Sequence, residues 1–359
     1  MEFLTEYGMF LAKVATIVVA FIIVITAIAA SGQRSKKPGK KGALKVSFLN
    51  DHFEEMKDSI RNAVMDKSEL KTVHKEEKKK LKAETKEREK ERKAVQKSET
   101  PDAEIKSQRK RVYVLNFKGN IAADAVACLR EEISAVLSMA TEGDEVLLRL
   151  ESPGGMVHAY GLASSQLLRL RSAKVPLTIC VDKVAASGGY MMACIADKLV
   201  AAPFAIIGSI GVIVQLPNFH RVLKKYDVDF EMISAGEYKR TLTTFGENTE
   251  KGREKMQEDV DTIHGLFKSW VKEHRPSVEI DKISTGETWV GSQAKERYMV
   301  DELKTSDECI LQACEDSDVY EVEYEFRKSI QDKLGRVLEQ SIDRAMNKWF
   351  ERNDVDTYQ

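Results

Sequence analysis

The sequence predicts an α/β domain of repeated strand–helix units with a mostly parallel sheet, preceded by one transmembrane helix and a charged helical stalk. Three observations carry this. From Arg111 to Val214, short apolar runs alternate with amphipathic stretches of helical period. Glycine-bearing turns, Ser152-Pro153-Gly154-Gly155, Ser187-Gly188-Gly189 and Gly208-Ser209-Ile210-Gly211, fall beside those runs. Ahead of Arg111 the texture is different: one uncharged run, then dense charge.

In chain order, Val14–Ala30 carries no charge and comes close to the ~20 residues a helix needs to cross a bilayer. A cleavable signal peptide is the rival, with Ala27-Ile28-Ala29 resembling a cleavage site. Glu2 and Glu6 stand where a signal peptide carries positive charge, however, and the run exceeds the usual apolar region of about 7–15 residues. A retained anchor is therefore expected within residues 1–32. The flank Arg34, Lys36, Lys37, Lys40 and Lys41 assigns the following side to the cytoplasm and would hold it near anionic lipid headgroups. Residues 33–110 read as a basic juxtamembrane linker and stalk. Within them, Leu49, Phe53, Met56, Ile60 and Val64 mark one face of an amphipathic helix. Lys75–Lys93 lacks sustained apolar heptad positions and reads as a solvated helix or spacer.

The main domain is expected over 111–315. Strands are predicted at Val112–Phe117, Glu145–Leu150, Leu177–Val181 and Lys198–Ala202, with helices at Ala122–Met139 and Val157–Arg171. Gly208–Val214 reads as a turn and strand, Asn218–Tyr226 as a helix, Asp229–Ile233 as a strand and Thr249–Arg275 as a long helix. Residues 316–359 are expected to hold a strand and an amphipathic helix, Ser329–Glu351. Ala186–Ala205 is apolar enough to suggest a second span, but Asp197, Lys198, two glycines and Pro203 make it a buried core segment.

Composition narrows the function. Charged residues are 31% of the chain, yet the net charge is −1, which gives no reason to propose a nucleic-acid partner. The five cysteines form no C-x-x-C pair, so neither a zinc ribbon nor a disulfide framework is suggested; the six histidines show no ligand spacing, so no metal is expected, and no cofactor is expected either. Unpaired thiols in apolar stretches fit a reducing compartment slightly better than an oxidising one.

The chemistry centres on Val184–Cys194, where an apolar strand is followed by Ser187, two glycines and a helical run. That order can expose a hydroxyl at a strand end beside free backbone N–H groups. It is equally a glycine turn opening a core helix. A nucleophilic serine needs a base, since its hydroxyl is inert near neutral pH. No histidine occurs between Gly188 and Phe219, and His158, in helical context, is more commonly a packing residue. A lysine can serve if burial or a neighbouring charge keeps it neutral. The residues alone do not single out Lys239 among the lysines.

Four ordered motifs resemble those of the signal peptide peptidase A family: Ser152–Gly155, Ala186–Tyr190, Gly208–Val212 and Ser234–Lys239. Thr285–Trp289, Gln293-Ala294 and Val300-Asp301 are similar to that family's closing motif, and the match covers roughly Arg111–Glu308. The resemblance implies a peptidase domain of the Clp and crotonase fold in a protein of the bacterial inner membrane. It implies Ser187 as nucleophile, Lys239 as general base, Ser209 as the residue orienting Lys239, and the amides of Gly188 and Gly155 as the oxyanion hole. The implied reaction is hydrolysis of short apolar peptides, such as signal-peptide or membrane-protein fragments, by a homo-oligomer whose subunits share active sites. Relatives act on the outer face of the inner membrane, whereas the basic flank favours the cytoplasmic side, with the periplasm as the alternative. Two other readings stay open: a crotonase-like acyl-CoA hydratase or isomerase, since paired oxyanion amides also suit a thioester enolate, and a non-enzymatic membrane scaffold.

Overall fold

The computed structural model describes residues 42–66, 68–76 and 109–326, with isolated positions at 13, 16, 79, 82 and 86. Leu44–Glu325 form one compact unit. Its strands are β1 (Ala43–Phe48), β2 (Arg111–Lys118), β3 (Glu145–Glu151), β4 (Leu177–Val181), β5 (Val184–Ala186), β6 (Lys198–Ala201), β7 (Ile206–Gly208), β8 (Thr288–Val290), β9 (Glu302–Leu303) and β10 (Asp318–Glu325). Its helices, in chain order, are α1 (Leu49–Val64), α2 (Val126–Met139), α3 (Val157–Ser172), α4 (Gly188–Ala193), α5 (His220–Lys225), α6 (Glu250–His274), α7 (Ile280–Ile283), α8 (Gly291–Glu296) and α9 (Ser306–Asp316).

The main sheet has seven strands in the order β1-β10-β2-β3-β4-β6-β9. Every pair from β10 to β9 is parallel. The predicted α/β architecture is therefore present, and the reason lies in the strand composition. Val112, Val114, Leu115 and Phe117 of β2 are all buried, as a parallel strand covered on both faces requires. One face, with Leu115, Leu148 and Ile179, packs against Leu129 and Ile133 of α2 and Tyr160 and Leu167 of α3. The other, with Val114, Leu147, Cys180 and Val200, packs against Ile310 of α9 and the half-buried Leu49 and Phe53 of α1. A smaller sheet, β5-β7-β8, joins β5 and β7 in parallel and β7 and β8 antiparallel.

Two expected boundaries fall elsewhere. The stretch read as linker supplies β1 and α1, which lie within this architecture. The apolar stripe of α1 outruns the surface it packs on, so Ile60 and Val64 are 65% and 79% exposed. At the other end, β10 sits between β1 and β2, so the sheet extends past the expected limit at residue 315.

Three elements differ from the sequence expectation. Asp229–Ile233 is not a strand, and the strand expected within Gly208–Val214 ends at Gly208. The helix expected over Asn218–Tyr226 shrinks to His220–Lys225. Most of the apolar side chains of these segments stay exposed, Ile233 by 99%; Ile210 alone joins the main core, and Phe219 and Phe230 make only local ring contacts with Phe245. The apolar segment after Ser187 behaves as a core segment, with Tyr190, Met192, Cys194 and Ile195 fully buried. Among the described residues no helix is long and apolar enough to cross a membrane. The span expected at Val14–Ala30, most of Lys75–Lys93 and the helix expected at Ser329–Glu351 lie outside the described residues.

Candidate active site

The site begins where β3 runs out. Ser152 follows the strand and forms a parallel bridge with Ala185. Its N–H donates to Val184 O at 2.8 Å, and its carbonyl accepts from Ala186 N at 3.0 Å. These bonds lay β5 along the end of β3, so that Ser187, immediately after β5, arrives beside the Pro153-Gly154-Gly155 turn.

Ser187 turns the chain sharply from β5 into α4. Its backbone has φ 51° and ψ −120°, in the sparsely populated positive-φ region that a side chain enters only under constraint. The constraint is visible: its N–H donates to Gly208 O at 2.7 Å, and its carbonyl accepts from Met191 N at 3.0 Å. The side chain is half-buried at the start of α4.

Gly154 lies directly against this elbow with φ 91°. A β-carbon there would lie 2.7 Å from Ser187 Cβ, 2.7 Å from Ala186 O and 2.8 Å from Gly188 N, so only glycine fits. Gly188 meets the ring of Tyr160 closely enough that an added β-carbon would sit 2.5 Å from Tyr160 Cγ. Neither the Gly188 N–H nor the Gly155 N–H donates a hydrogen bond among the described residues. Two amides are thus unspent close to the serine.

Beneath the turn lies a buried hydroxyl pair. Tyr160 OH and Ser152 Oγ are 2.5 Å apart, Tyr160 OH donates to Asn120 O at 2.8 Å, and Gly154 N–H donates to Ser152 Oγ at 3.1 Å. Reading the sequence missed Asn120 and Tyr160. The available signal was a tyrosine one turn into the helix after the glycine turn, which is indistinguishable from a core aromatic without the fold.

Ser209 comes from the parallel neighbour. β5 and β7 pair as Ala186 with Gly208, so Ser187 and Ser209 follow in consecutive register. Ser209 also has positive φ, 53°, and its N–H donates to Glu287 O at 2.7 Å. Trp289 of β8 backs this turn, its ring within 2.8 Å of where a Gly208 β-carbon would lie. The fold thus gathers Ser187, Gly188, Gly154-Gly155 and Ser209. Lys239 stands apart. It is exposed in a loop without regular structure, where its N–H closes a turn onto Gly236 O at 3.2 Å. Among the described residues, no hydrogen bond joins its amine to Ser187 or Ser209. His158 is exposed on the first turn of α3.

Away from the turn, Asp301 anchors the closing segment. Its carboxylate accepts from Leu199 N–H at 2.7 Å and from Arg275 at 2.6 and 2.9 Å. Burial works against its charge, but the bonds from Arg275 and Leu199 outweigh it and hold the pKa below its ordinary value. No cluster of metal-binding side chains occurs among the described residues.

A half-buried serine on a strained strand-to-helix elbow, with two unpaired amides nearby, is the arrangement of a serine hydrolase. The family follows from the sequence comparisons. The profile for "Peptidase family S49 N-terminal" matches residues 2–167 and that for "Peptidase family S49" residues 169–320. The "Probable protease SohB" of Haemophilus influenzae is 48% identical over 99% of this chain and 98% of its own length. The "Putative protease SohB" of Buchnera aphidicola subsp. Baizongia pistaciae is 46% identical over 92% of this chain and 93% of its own. A solved membrane-bound stomatin-specific protease variant with a substrate peptide is 16% identical over 64% of this chain and 98% of its own, at a TM-score of 0.42. This chain belongs to peptidase family S49 and is a serine-type peptidase.

Proposed function

We propose that the chain is a membrane-anchored endopeptidase working through a Ser187–Lys239 dyad. In this reading the neutral amine of Lys239 takes the Ser187 hydroxyl proton, Ser187 Oγ attacks the peptide carbonyl, and the oxyanion is held by the amides of Gly188 and Gly155. Lys239 then gives its proton to the leaving amine, and water hydrolyses the acyl-enzyme. Ser209 hydrogen-bonds the lysine and fixes its direction. The observation carrying the proposal is the Ser187 elbow itself, strained at φ 51° and flanked by Gly188 and Gly155 amides that donate to no described residue.

Lys239 reaches a serine in the homo-oligomer, where the base comes from a neighbouring copy. Its exposure supports this, as do the apolar side chains uncovered on the same segment, Phe230, Met232, Ile233 and Tyr238. The substrates are short, apolar, extended peptides such as signal-peptide or membrane-protein fragments. Apolar residues around the Gly155 turn support that choice: Ile121, Met156 and Val157 are all exposed there, Ile121 by 69%. Residues 1–32 would anchor the chain in the inner membrane, and the basic residues after them favour a cytoplasmic catalytic domain over a periplasmic one.

The test is active-site labelling. A fluorophosphonate should label the assembled protein at Ser187, with labelling lost in Ser187→Ala. A folded oligomer that takes up no label, or labels at another serine, removes Ser187 from the role.

A further inference from the structure

We propose that Cys180 and Cys309 form a thiol pair that a low-molecular-weight disulfide closes into an intramolecular bond between β4 and α9. Nothing in the peptidase chemistry uses these residues. Cys180 lies in the middle of the main sheet, in register with Arg149 on one side and Val200 on the other, and is 1% exposed. Cys309 is half-buried on α9 and packs in the same apolar cluster as Cys180, Val200 and Ile310.

The facing of the two thiols follows from a contact one step away. Ser306 donates from its N–H and its Oγ–H to the Asp182 carboxylate, at 2.7 and 2.5 Å. Positions two apart share a strand face, and positions three apart share a helix face. The bond between Asp182 and Ser306 therefore brings Cys180 and Cys309 toward each other across the same interface, within one apolar cluster.

The surroundings divide the work between the two sulfurs. The interaction with Cys180 lowers the Cys309 pKa below its ordinary value against the effect of burial, with the charges of Lys198 and Lys304 assisting and that of Glu302 opposing. Both lysines also pair with Glu302, at 2.6 and 2.5 Å. The neighbouring Cys309 thiol, together with burial, pushes Cys180 upward. Burial also raises Cys128 and Cys314, and pushes Cys194 up to about 12. Cys309, half-buried on α9, can meet a small disulfide and Cys180, 1% exposed within the sheet, cannot, so Cys309 is the attacking thiol and Cys180 the resolving one.

The chemistry balances as thiol–disulfide exchange. The Cys309 thiolate attacks one sulfur of the small disulfide, forming a mixed disulfide and expelling a thiolate that takes up a proton. The Cys180 thiol loses its proton and attacks Cys309 Sγ, forming the protein bond and releasing the second small thiolate, which is protonated in turn. Two protein thiols are oxidised, and one small disulfide is reduced to two small thiols. The new bond fastens α9 to the strand that leads into β5 and Ser187.

The test uses the folded, full-length chain with oxidised glutathione, followed by thiol counting and peptide mapping under denaturing conditions. Thiols should fall by two, from five to three, with Cys180 joined to Cys309, reversal by dithiothreitol, and a higher thermal midpoint in the oxidised form. Cys128→Ser and Cys314→Ser should retain the bond. Cys180→Ala should stop at one glutathione on Cys309, and Cys309→Ala should block the reaction. In the unmutated chain, which requires no variant to fold, iodoacetamide should alkylate Cys309 faster than Cys128 or Cys314. Glutathione remaining on Cys309 in the unmutated chain, a bond from Cys309 to Cys314, or alkylation of Cys309 no faster than the others would each overturn the proposal.

Discussion

At the scale of single residues, the site depends on how closely Gly154 approaches Ser187. Gly154→Ala would force a β-carbon to within 2.8 Å of the Gly188 nitrogen, at a φ that alanine resists. The cheapest relief is to move the Pro153–Gly155 turn away from the serine. Peptide turnover should then fall by about 10²–10³-fold, the loss typical of one displaced oxyanion donor, while Ser187 still reacts with a small fluorophosphonate. Unchanged turnover would show that the turn is not aimed at the substrate. Lys239 provides a sharper test of chemistry. Lys239→Ala should abolish cleavage, and Lys239→Arg should fail as fully, because arginine stays charged and cannot accept the serine proton. Substantial activity in the arginine variant would exclude lysine as the base. Neither substitution should alter thermal stability, since Lys239 is exposed and its amine makes no hydrogen bond or ion pair among the described residues.

At the scale of elements, β10 is clamped to α2 through one buried carboxyl. Glu132 is 5% exposed, accepts from Tyr324 N–H at 2.8 Å through Oε1, and leaves Oε2 without a partner among the described residues. Burial pushes its pKa from 4.5 up to about 7, opposed by the Tyr324 bond and assisted by the Glu323 charge. The folded chain therefore holds this proton more tightly than the unfolded one. Its contribution to stability is complete below about pH 4.5 and is lost as pH rises through about 7. Glu132→Gln keeps the acceptor and removes the titration. At pH 8 it should be more stable than the unmutated chain by about 1–3 kcal/mol, with the difference shrinking toward pH 5. Urea denaturation at several pH values would measure this, and a constant difference would remove Glu132 as its source.

At the scale of the whole molecule, the segment from Gly208 to Phe245 has apolar side chains but almost no regular structure. The strand expected at Asp229–Ile233 has the right residues but pairs with no edge within the described chain. A second copy would supply that edge, and the same contact would carry Lys239 toward another copy's serine. The consequence can be checked by complementation. Mixed oligomers of Ser187→Ala and Lys239→Ala should recover cleavage that neither variant shows alone, because some sites then combine an intact serine with an intact lysine. No recovery in verified mixed assemblies would place both residues in one subunit.

The sequence alone determined the local features. Alternating apolar runs and helical periods identified β2, β3, β4, β6, α2, α3 and α6, because burial on both strand faces or one helix face is encoded in neighbouring residues. The serine–glycine turn was legible for the same reason, whereas Lys239 came from family resemblance rather than from its own surroundings. Contacts between distant segments were decided by tertiary structure alone. The period of α1 and a strand after residue 315 were legible, but the insertion of β10 beside β2 and the recruitment of β1 and α1 to this domain were not, since each depends on which sheet edge and apolar face remain uncovered. The positive φ of Ser187, the approach of Gly154, the Ser152–Tyr160–Asn120 chain and the register joining Ser187 to Ser209 likewise arise where β3, β5 and β7 meet. The turn that exposes the hydroxyl is written in consecutive residues; the strain and the unspent amides around it come from strands that meet only when the chain is folded.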